Sequence, residues 1–453
     1  MKKSLLDTIN KLSKEDIETL TSLYLYRALD FDQITSYIYN IKENTASDKA
    51  KKTRIRKKLS GEGLITFSVY LPNKEAAQIT NKGIEIVRYV KDIKTEIFNT
   101  ETRVVKRGYY TAADLNLNTR LINHQVHLNQ FVLDFTERAR NKKLLWNYSD
   151  EKFLSSYINI RPDGLLSILN YDFFIETDMA TESKAQLIEK WQHYRSFLNT
   201  DEFKNKSRKI VVLFTIENIL SKKKIENRKQ LVKQTIIDYL LDELSPDFDI
   251  IVDTREKLLD YIFQSLLPKT LNKNNDENKI LQYLQNNSWN ISYGYTFSEL
   301  FFNKFYNYYI RQLDKNGKII LRNQQPQEYF VDFYFDNEMS VLSKVRYFNK
   351  NNTLYKEKFG RNFKYIIISN NISQTYNDLK LLGPSSFSSN NISIMDVRNL
   401  DKTKDLYLNL LTLDNFGSVY KIASIDHSRR DFYYSLNSIE KIKQKVGRVR
   451  EKK

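Results

Sequence analysis

Three carboxylates and a lysine, Asp163, Glu176, Asp178 and Lys190, are the residues best suited by type and spacing to do chemistry. Asp163 sits in a Pro-Asp-Gly turn that follows a strand-like segment. Glu176 and Asp178 close the run YDFFIETD, and being two apart they share one face if the strand continues through Asp178. Neighbouring strands lie about 4.8 Å apart, so Asp163 and Glu176 converge if their strands pair. Asp163, Glu176 and Asp178 would then offer Mg²⁺ the hard oxygen ligands it takes. Such a metal activates water and stabilises charge on a scissile phosphate, and a nearby Lys190 would add to that stabilisation. Lys190 and Tyr194 are four apart, on one helical face, and Lys184 is the competing cation. A purely structural reading stands beside this one. Pro-Asp-Gly is a turn sequence in which Asp163 makes an Asx-turn, and Thr177, Asp178 or Thr181 can cap the next helix.

A second cluster is basic. Residues 48–62, DKAKKTRIRKKLSGE, read as a helix with Asp48 as N-cap and Gly61 and Gly63 as its stop. Ile55 and Leu59 supply its buried side. The rest is cationic: Lys49, Lys51, Lys52, Arg54, Arg56, Lys57 and Lys58. That surface suits phosphate neutralisation, with Arg54 or Arg56 reaching a guanine edge. The alternative is a solvated basic helix in a module used for protein contacts.

The elements around this helix give it a context. Residues 15–28 place Ile17, Leu20, Leu23 and Tyr24 at helical spacing, and FDQITSYIY is a second helix. After the basic helix, LITFSVYL has strand composition, Pro72-Asn73 makes a turn, AAQIT resumes as a strand, and NKGIEIVRYV is helical. Helix, helix, helix, strand, turn, strand, helix is the order of a winged helix-turn-helix, which puts its third helix in the major groove of double-stranded DNA. Residues 116–141 form a long amphipathic helix with Leu121, His124, Leu128, Phe131, Leu133 and Phe135 on its apolar side. His124 and His127 lack an HExxH pattern, so buried or capping histidines are expected there.

Further on, the pattern is strand, turn, strand, helix, strand over residues 157–218, then helix, strand and helix to residue 267. FFIE and KIVVLFTI are continuous apolar runs of the kind found in strands buried on both faces. PKTLNKNNDENK (268–279) reads as a linker. Beyond it, ILQYLQNN and SELFFNKFYNYYIRQL read as helices. YFVDFYFDNEMSVLSKVRYF then echoes YDFFIETDMATESKAQLIEKW, and FKYIIISNNI echoes RKIVVLFTIENI. This repeat points to a duplicated domain in which Asp332, Asp336, Glu338 and Lys344 stand where the first copy has its acids and lysine. The second copy has no Pro-Asp equivalent and reads as degenerate, a binding or dimerisation surface.

Composition sets the outer bounds. The chain has 453 residues and a formal net charge of +17, room for roughly two to four domains. The charge points to a polyanion, nucleic acid first, although drift toward Lys, Asn, Ile and Tyr would raise it too. There is no cysteine, which excludes disulfides, thiolate metal sites and a thiol nucleophile. Only His124, His127, His193 and His427 are present, so a zinc site built on several histidines is poorly supported. No P-loop, GxSxG or paired-His relaxase motif occurs. No segment is long and apolar enough to span a membrane, and the start is not a secretory signal, so a cytoplasmic protein is expected. The final residues, SIEKIKQKVGRVREKK, are a basic tail suited to phosphate contacts.

The order Pro-Asp, an apolar strand ending Glu-x-Asp, a small polar turn, and a helix carrying Lys then Tyr resembles the plasmid replication-relaxation family of Gram-positive mobile elements. The resemblance covers roughly residues 15–265, and the upstream helix with His124 and Asn129 fits it. It implies a winged helix joined to a domain resembling the PD-(D/E)xK nuclease fold. One departure counts: that pattern wants Lys two positions after the acid, where this chain has Asp178. Lys190 would be a migrated substitute. The expected fold is therefore α/β (α+β): a winged helix-turn-helix at 1–110, a nuclease-like α/β domain at 111–267, a linker at 268–279, a second, degenerate one at 280–435, and a basic tail at 436–453. The expected function is sequence-specific DNA binding in replication initiation, relaxation or its control, by a homodimer. The alternatives are a Mg²⁺-dependent endonuclease or nickase, and a transcription regulator controlled by a peptide or protein.

Overall fold

The computed structural model describes residues 3–421, except 44, 100–102, 155, 218–220, 272–275, 294–305, 323–324, 336, 361–362, 384–390, 399–409 and 414–418. His427, Asp336 and the basic tail at 436–453 therefore lie outside the described residues. Two compact units divide the chain at 179/180, rather than at the expected 110/111 and 267/268.

The first unit opens with α1 (Lys3–Ile9) and α2 (Lys14–Tyr26), the latter started by a Ser13–Asp16 capping box. A three-residue strand, β1 (Ala28–Asp30), follows, where only a helix break was expected. Next come α3 (Phe31–Gln33), which runs into a π-helical turn at Ile34–Ile38, and α4 (Ala46–Gly61). The N-cap of α4 is Thr45, not Asp48. Asp48 is the third helical residue, and its carboxylate reaches back to the Thr45 N–H in a capping box. β2 (Ile65–Leu71) and β3 (Lys74–Ile79) pair antiparallel, and β1 adds to β3, giving the order β1-β3-β2. Their connection places Asn73 at φ 61 after Pro72, the sequence and conformation of a type II turn.

α5 (Asn81–Val90) then packs on α2. Its start demands glycine, because a Cβ at Gly83 would lie 2.5 Å from the Leu64 carbonyl oxygen. Leu20, Leu23, Leu59, Leu64, Ile79, Ile84 and Val87 form the core between these elements. A hairpin of β4 (Glu96–Asn99) and β5 (Val104–Arg107) and the short α6 (Ala112–Leu115) lead to α7 (Thr119–Asn141). The buried side of α7 differs from the expected one. Leu121 is exposed, and Gln125 and Asn129 are buried among Ile122, Val126, Phe131 and Val132. α7 packs against β1, β2 and β8 (Tyr171–Asp178), which explains why no boundary falls near residue 110. β6 (Trp146–Asp150), β7 (Gly164–Ile168) and β8 form an antiparallel ladder in this unit.

The second unit contains α8 (Lys184–Leu198), α9 (Asp201–Lys204), β9 (Lys209–Ile216), α10 (Lys222–Tyr239) and β10 (Phe248–Asp253). β9 and β10 are parallel and almost wholly buried, as their apolar runs imply. α11 (Arg255–Asp260) passes through a π-helical segment, Tyr261–Leu266, into α12 (Leu267–Thr270), and α13 (Asp276–Asn286) follows. Most of the expected linker is thus helical. A seven-stranded sheet comes next, in the order β11 (Trp289–Tyr293), β12 (Tyr308–Gln312), β15 (Glu328–Tyr334), β16 (Lys364–Ser369), β17 (Ile392–Asp396), β18 (Leu410–Leu413), β19 (Val419–Lys421). β13 (Leu321–Arg322) and β14 (Gln325–Pro326) make a small hairpin apart.

β12 replaces a helix expected there; its Tyr-Tyr-Ile content favours the pleated, half-buried surface it occupies. β15, β16 and β17 are parallel, joined by α14 (Met339–Phe359) and α15 (Ile372–Lys380). A buried ion pair between Lys233 of α10 and Asp378 of α15, 2.8 Å, ties the β9–β10 layer to this sheet. Tyr334 donates to the same carboxylate. Residues 180–453 group together as the second compact unit.

Candidate nucleic-acid interface and carboxylate cluster

At about 100° per residue, α4 turns Leu59, Ile55 and Lys52 inward and sets Ala46, Ala50, Thr53, Arg54 and Lys57 on the opposite side. Burial follows: Leu59 is fully buried, Ile55 and Lys52 are half-buried, and the outer set is exposed. The outward ridge is therefore not almost wholly basic. It is a strip of small side chains carrying two long cations.

Several of the other cations are committed within the chain. Arg56 lies 2.5 Å from Glu75 of β3, with its guanidinium 4.4 Å from the Phe67 ring centre on β2. Lys58 lies 2.5 Å from Asp16 of α2, and Lys52 is 3.1 Å from Asp32. Burial pushes the Asp16 carboxyl up, but hydrogen bonds from Lys58, Tyr39 and Ser13 outweigh that and hold it below its ordinary value. Lys51 stands 3.9 Å from Asp48. Lys49, Arg54 and Lys57 are exposed and form no ion pair with a described residue.

The carboxylates behave differently. Gly164 pairs with Ile175, so the register carried one residue further sets Asp163 opposite Glu176, the juxtaposition expected from paired strands. The Asp163 carboxylate closes the end of the ladder. It accepts the Thr177 N–H at 2.8 Å and lies 3.1 Å from His124 Nε2 on α7. Glu176 and Asp178 are both buried, on one face of β8 by the pleat, with Asp172 and Phe174. Gly164 beside them is required, because a Cβ there would meet the Tyr148 ring at 2.9 Å. Among the described residues no three Asp, Glu or His side chains gather as a metal ion requires. Asp163, Glu176 and Asp178 form no such group.

Lys190 lies 3.0 Å from Glu182 and 5.4 Å from the Phe214 ring centre. Tyr194 is buried against Trp191 and Phe248, and Lys184 is exposed at the start of α8. The N-cap of α8 is Ser183, with Gln186 completing its capping box, so neither Thr177, Asp178 nor Thr181 caps it. In the second copy, Asp332 is buried and its carboxylate takes Lys344 at 2.6 Å, the Tyr365 hydroxyl at 2.8 Å and the Asn307 N–H at 3.1 Å. That is a saturated structural ion pair. Glu338 bridges to Ile251 and precedes α14.

One network had not been expected. Asn129 donates to the carbonyls of Tyr26 and Ala28. Between them Arg27 takes φ 68, a conformation non-glycine residues rarely adopt. The Arg27 guanidinium reaches the Leu115 carbonyl, Asp150 and Glu151, and Gln125 donates to both Asn129 and Asp150. Burial raises the Asp150 carboxyl, an effect partly offset by the Lys152 N–H, Arg27 and Gln125. The available signal was two amides four apart on an otherwise apolar helix face.

Residues 20–213 match the replication-relaxation family. The matched span runs from α2 into β9, so it takes in α4, the Arg27–Asn129 network and all four residues of the acid-and-lysine set. It ends before the seven-stranded sheet. Neither the curated proteins nor the solved structures yield a match.

Proposed function

We propose that the chain is a sequence-specific DNA-binding protein acting in the replication or relaxation of a plasmid or other mobile element. The replication-relaxation match supports that role. In this reading residues 14–90 act as a winged helix, with α4 in the major groove and the β2–β3 turn against the backbone. The observation that carries it is the outward ridge of α4. Small side chains at Ala46, Ala50 and Thr53 let the helix approach base edges, Arg54 offers a bidentate fork to guanine, and Lys49 and Lys57 meet phosphates. Arg56 and Lys58 have a different part: they hold the helix to the wing and to α2.

Gel shifts on DNA from the protein's own element, with scrambled duplexes as competitors, test this. A preferred site whose affinity falls steeply with salt is expected. Equal affinity for all sequences, or no binding at low salt, would defeat the reading.

A further inference from the structure

We infer that the second unit binds a small uncharged ligand carrying a vicinal diol, a ribonucleoside or a sugar, in a cavity outside the carboxyl ends of its parallel strands. The cavity measures about 270 Å³, a little under the range typical of drug-sized ligands. Crevices in this position are where α/β sheets hold their ligands. Asp253 ends β10, Phe335 and Asn337 follow β15, and Asn370 follows β16. Asp260, at the end of α11, and Gln264, on the π-helical segment after it, form another part of the wall. Segments of that kind recur at functional sites.

The hydrogen bonds within the lining decide what the cavity can take. Asn337 Nδ2 donates to Asp253 at 2.9 Å, and Gln264 Nε2 donates to Asp260 at 3.0 Å. Each amide is thereby turned with its carbonyl oxygen, an acceptor, away from the carboxylate. The lining is thus rich in acceptors and suits a ligand that donates.

Charge narrows the class further. Asp253 is 3.1 Å from Lys229, and Glu277, also in the lining, is 2.9 Å from Lys269. Those two carboxylates already have their counter-charges, so the cavity does not call for a cation. Three carboxylates against one lysine in the lining, the exposed Lys257, disfavour a phosphate. Among the described residues no three Asp, Glu or His side chains gather as a metal ion requires. An uncharged molecule rich in hydroxyls meets all of these conditions. In dinucleotide-binding α/β folds an acid takes a ribose hydroxyl in the same way. Phe335 and Ile251 supply the apolar surface on which a base or a sugar ring lies.

The test is titration calorimetry on the full chain with the four common ribonucleosides, ribose and glucose. At least one is expected to bind saturably, one per chain. Its deoxy counterpart should bind about ten-fold more weakly or worse, having lost a hydrogen bond to a charged acceptor, and its monophosphate should also bind more weakly. Asp260→Asn should weaken binding about ten-fold, and Asn370→Trp, a bulky change at an exposed position of the wall, should abolish it. Both variants should keep the wild-type midpoint in urea, so that lost binding is not lost folding. Binding of ribose or glucose as tight as that of any nucleoside supports the diol reading and names a sugar as its source. No saturable binding by any probe at millimolar concentration, tighter binding of the monophosphate, or affinity unchanged in both variants would overturn the inference. None of these results depends on DNA, so the reading of α4 stands or falls separately.

Discussion

Arg54→Ala and Arg56→Ala should have opposite signatures, although the two residues are neighbours on one cationic helix. Arg54 is exposed on the outer ridge of α4 and forms no ion pair with a described residue. A bidentate contact from such a side chain to a base is worth about 1–3 kcal/mol of discrimination. That is about 5- to 150-fold in the ratio of specific to scrambled affinity. Arg56 is held by Glu75 and the Phe67 ring. Its removal loses a half-exposed ion pair, worth about 0–1 kcal/mol of stability, and should leave the specificity ratio within about two-fold. Lys57→Ala should weaken all duplexes alike and reduce the salt slope by about 0.9. Fluorescence anisotropy on matched and scrambled duplexes across a salt series separates the three. Loss of discrimination in Arg56→Ala with Arg54→Ala unaffected would refute the assignment of inner and outer faces.

Other outcomes follow from buried groups. Lys233→Met strands the Asp378 carboxylate in the interior; it should cost about 3–5 kcal/mol in urea unfolding followed by Trp191 and Trp289 fluorescence, and a loss under about 1 kcal/mol would contradict the docking of α10 on α15. Asn129→Ala removes two hydrogen bonds that hold the backbone around Arg27 and should destabilise the first unit, followed by Trp146, by about 1–3 kcal/mol. Burial pushes the Asp249 carboxyl up to about 6, against hydrogen bonds from Ser340 and the Ile250 N–H. The folded state therefore holds its proton more tightly than the unfolded state does, so this group's contribution is most favourable below the unfolded value of 3.8 and is lost as pH rises through about 6. The swing is at most about 3 kcal/mol. Asp249→Asn should flatten stability against pH over that window, and an unchanged slope would remove Asp249 as its source.

Elements with strong periodicity were legible in the sequence. β8, β9 and β10 lie within a few residues of their apolar runs, and α4 and α8 were found from helical spacing and stop signals. What escaped depended on tertiary context. β1 is three residues long and exists because β3 offers it an edge. Leu121 looked like core, but the turn of α7 that faces the protein is set by β1, β2 and β8, which select Ile122, Gln125 and Asn129. The pairing of Asp163 with Glu176 was readable from spacing. Its use was not, because the reach of His124 from α7 has no local trace. Nor could charge alone divide α4 into cations that hold the domain and cations that face outward, since the counter-charges Glu75, Asp16 and Asp32 come from three other elements.

Helix α7 touches two places at once: Asn129 grips the backbone on either side of Arg27, and His124, five positions earlier, meets the carboxylate at the mouth of the β7–β8 ladder. Five residues of α-helix fix that separation at about 7.5 Å along the axis, and each added or deleted residue would rotate one grip past the other by about 100°. Length here is therefore frozen in a way that side-chain chemistry is not. This stretch should accept conservative exchanges of type, yet reject any insertion or deletion between positions 124 and 129.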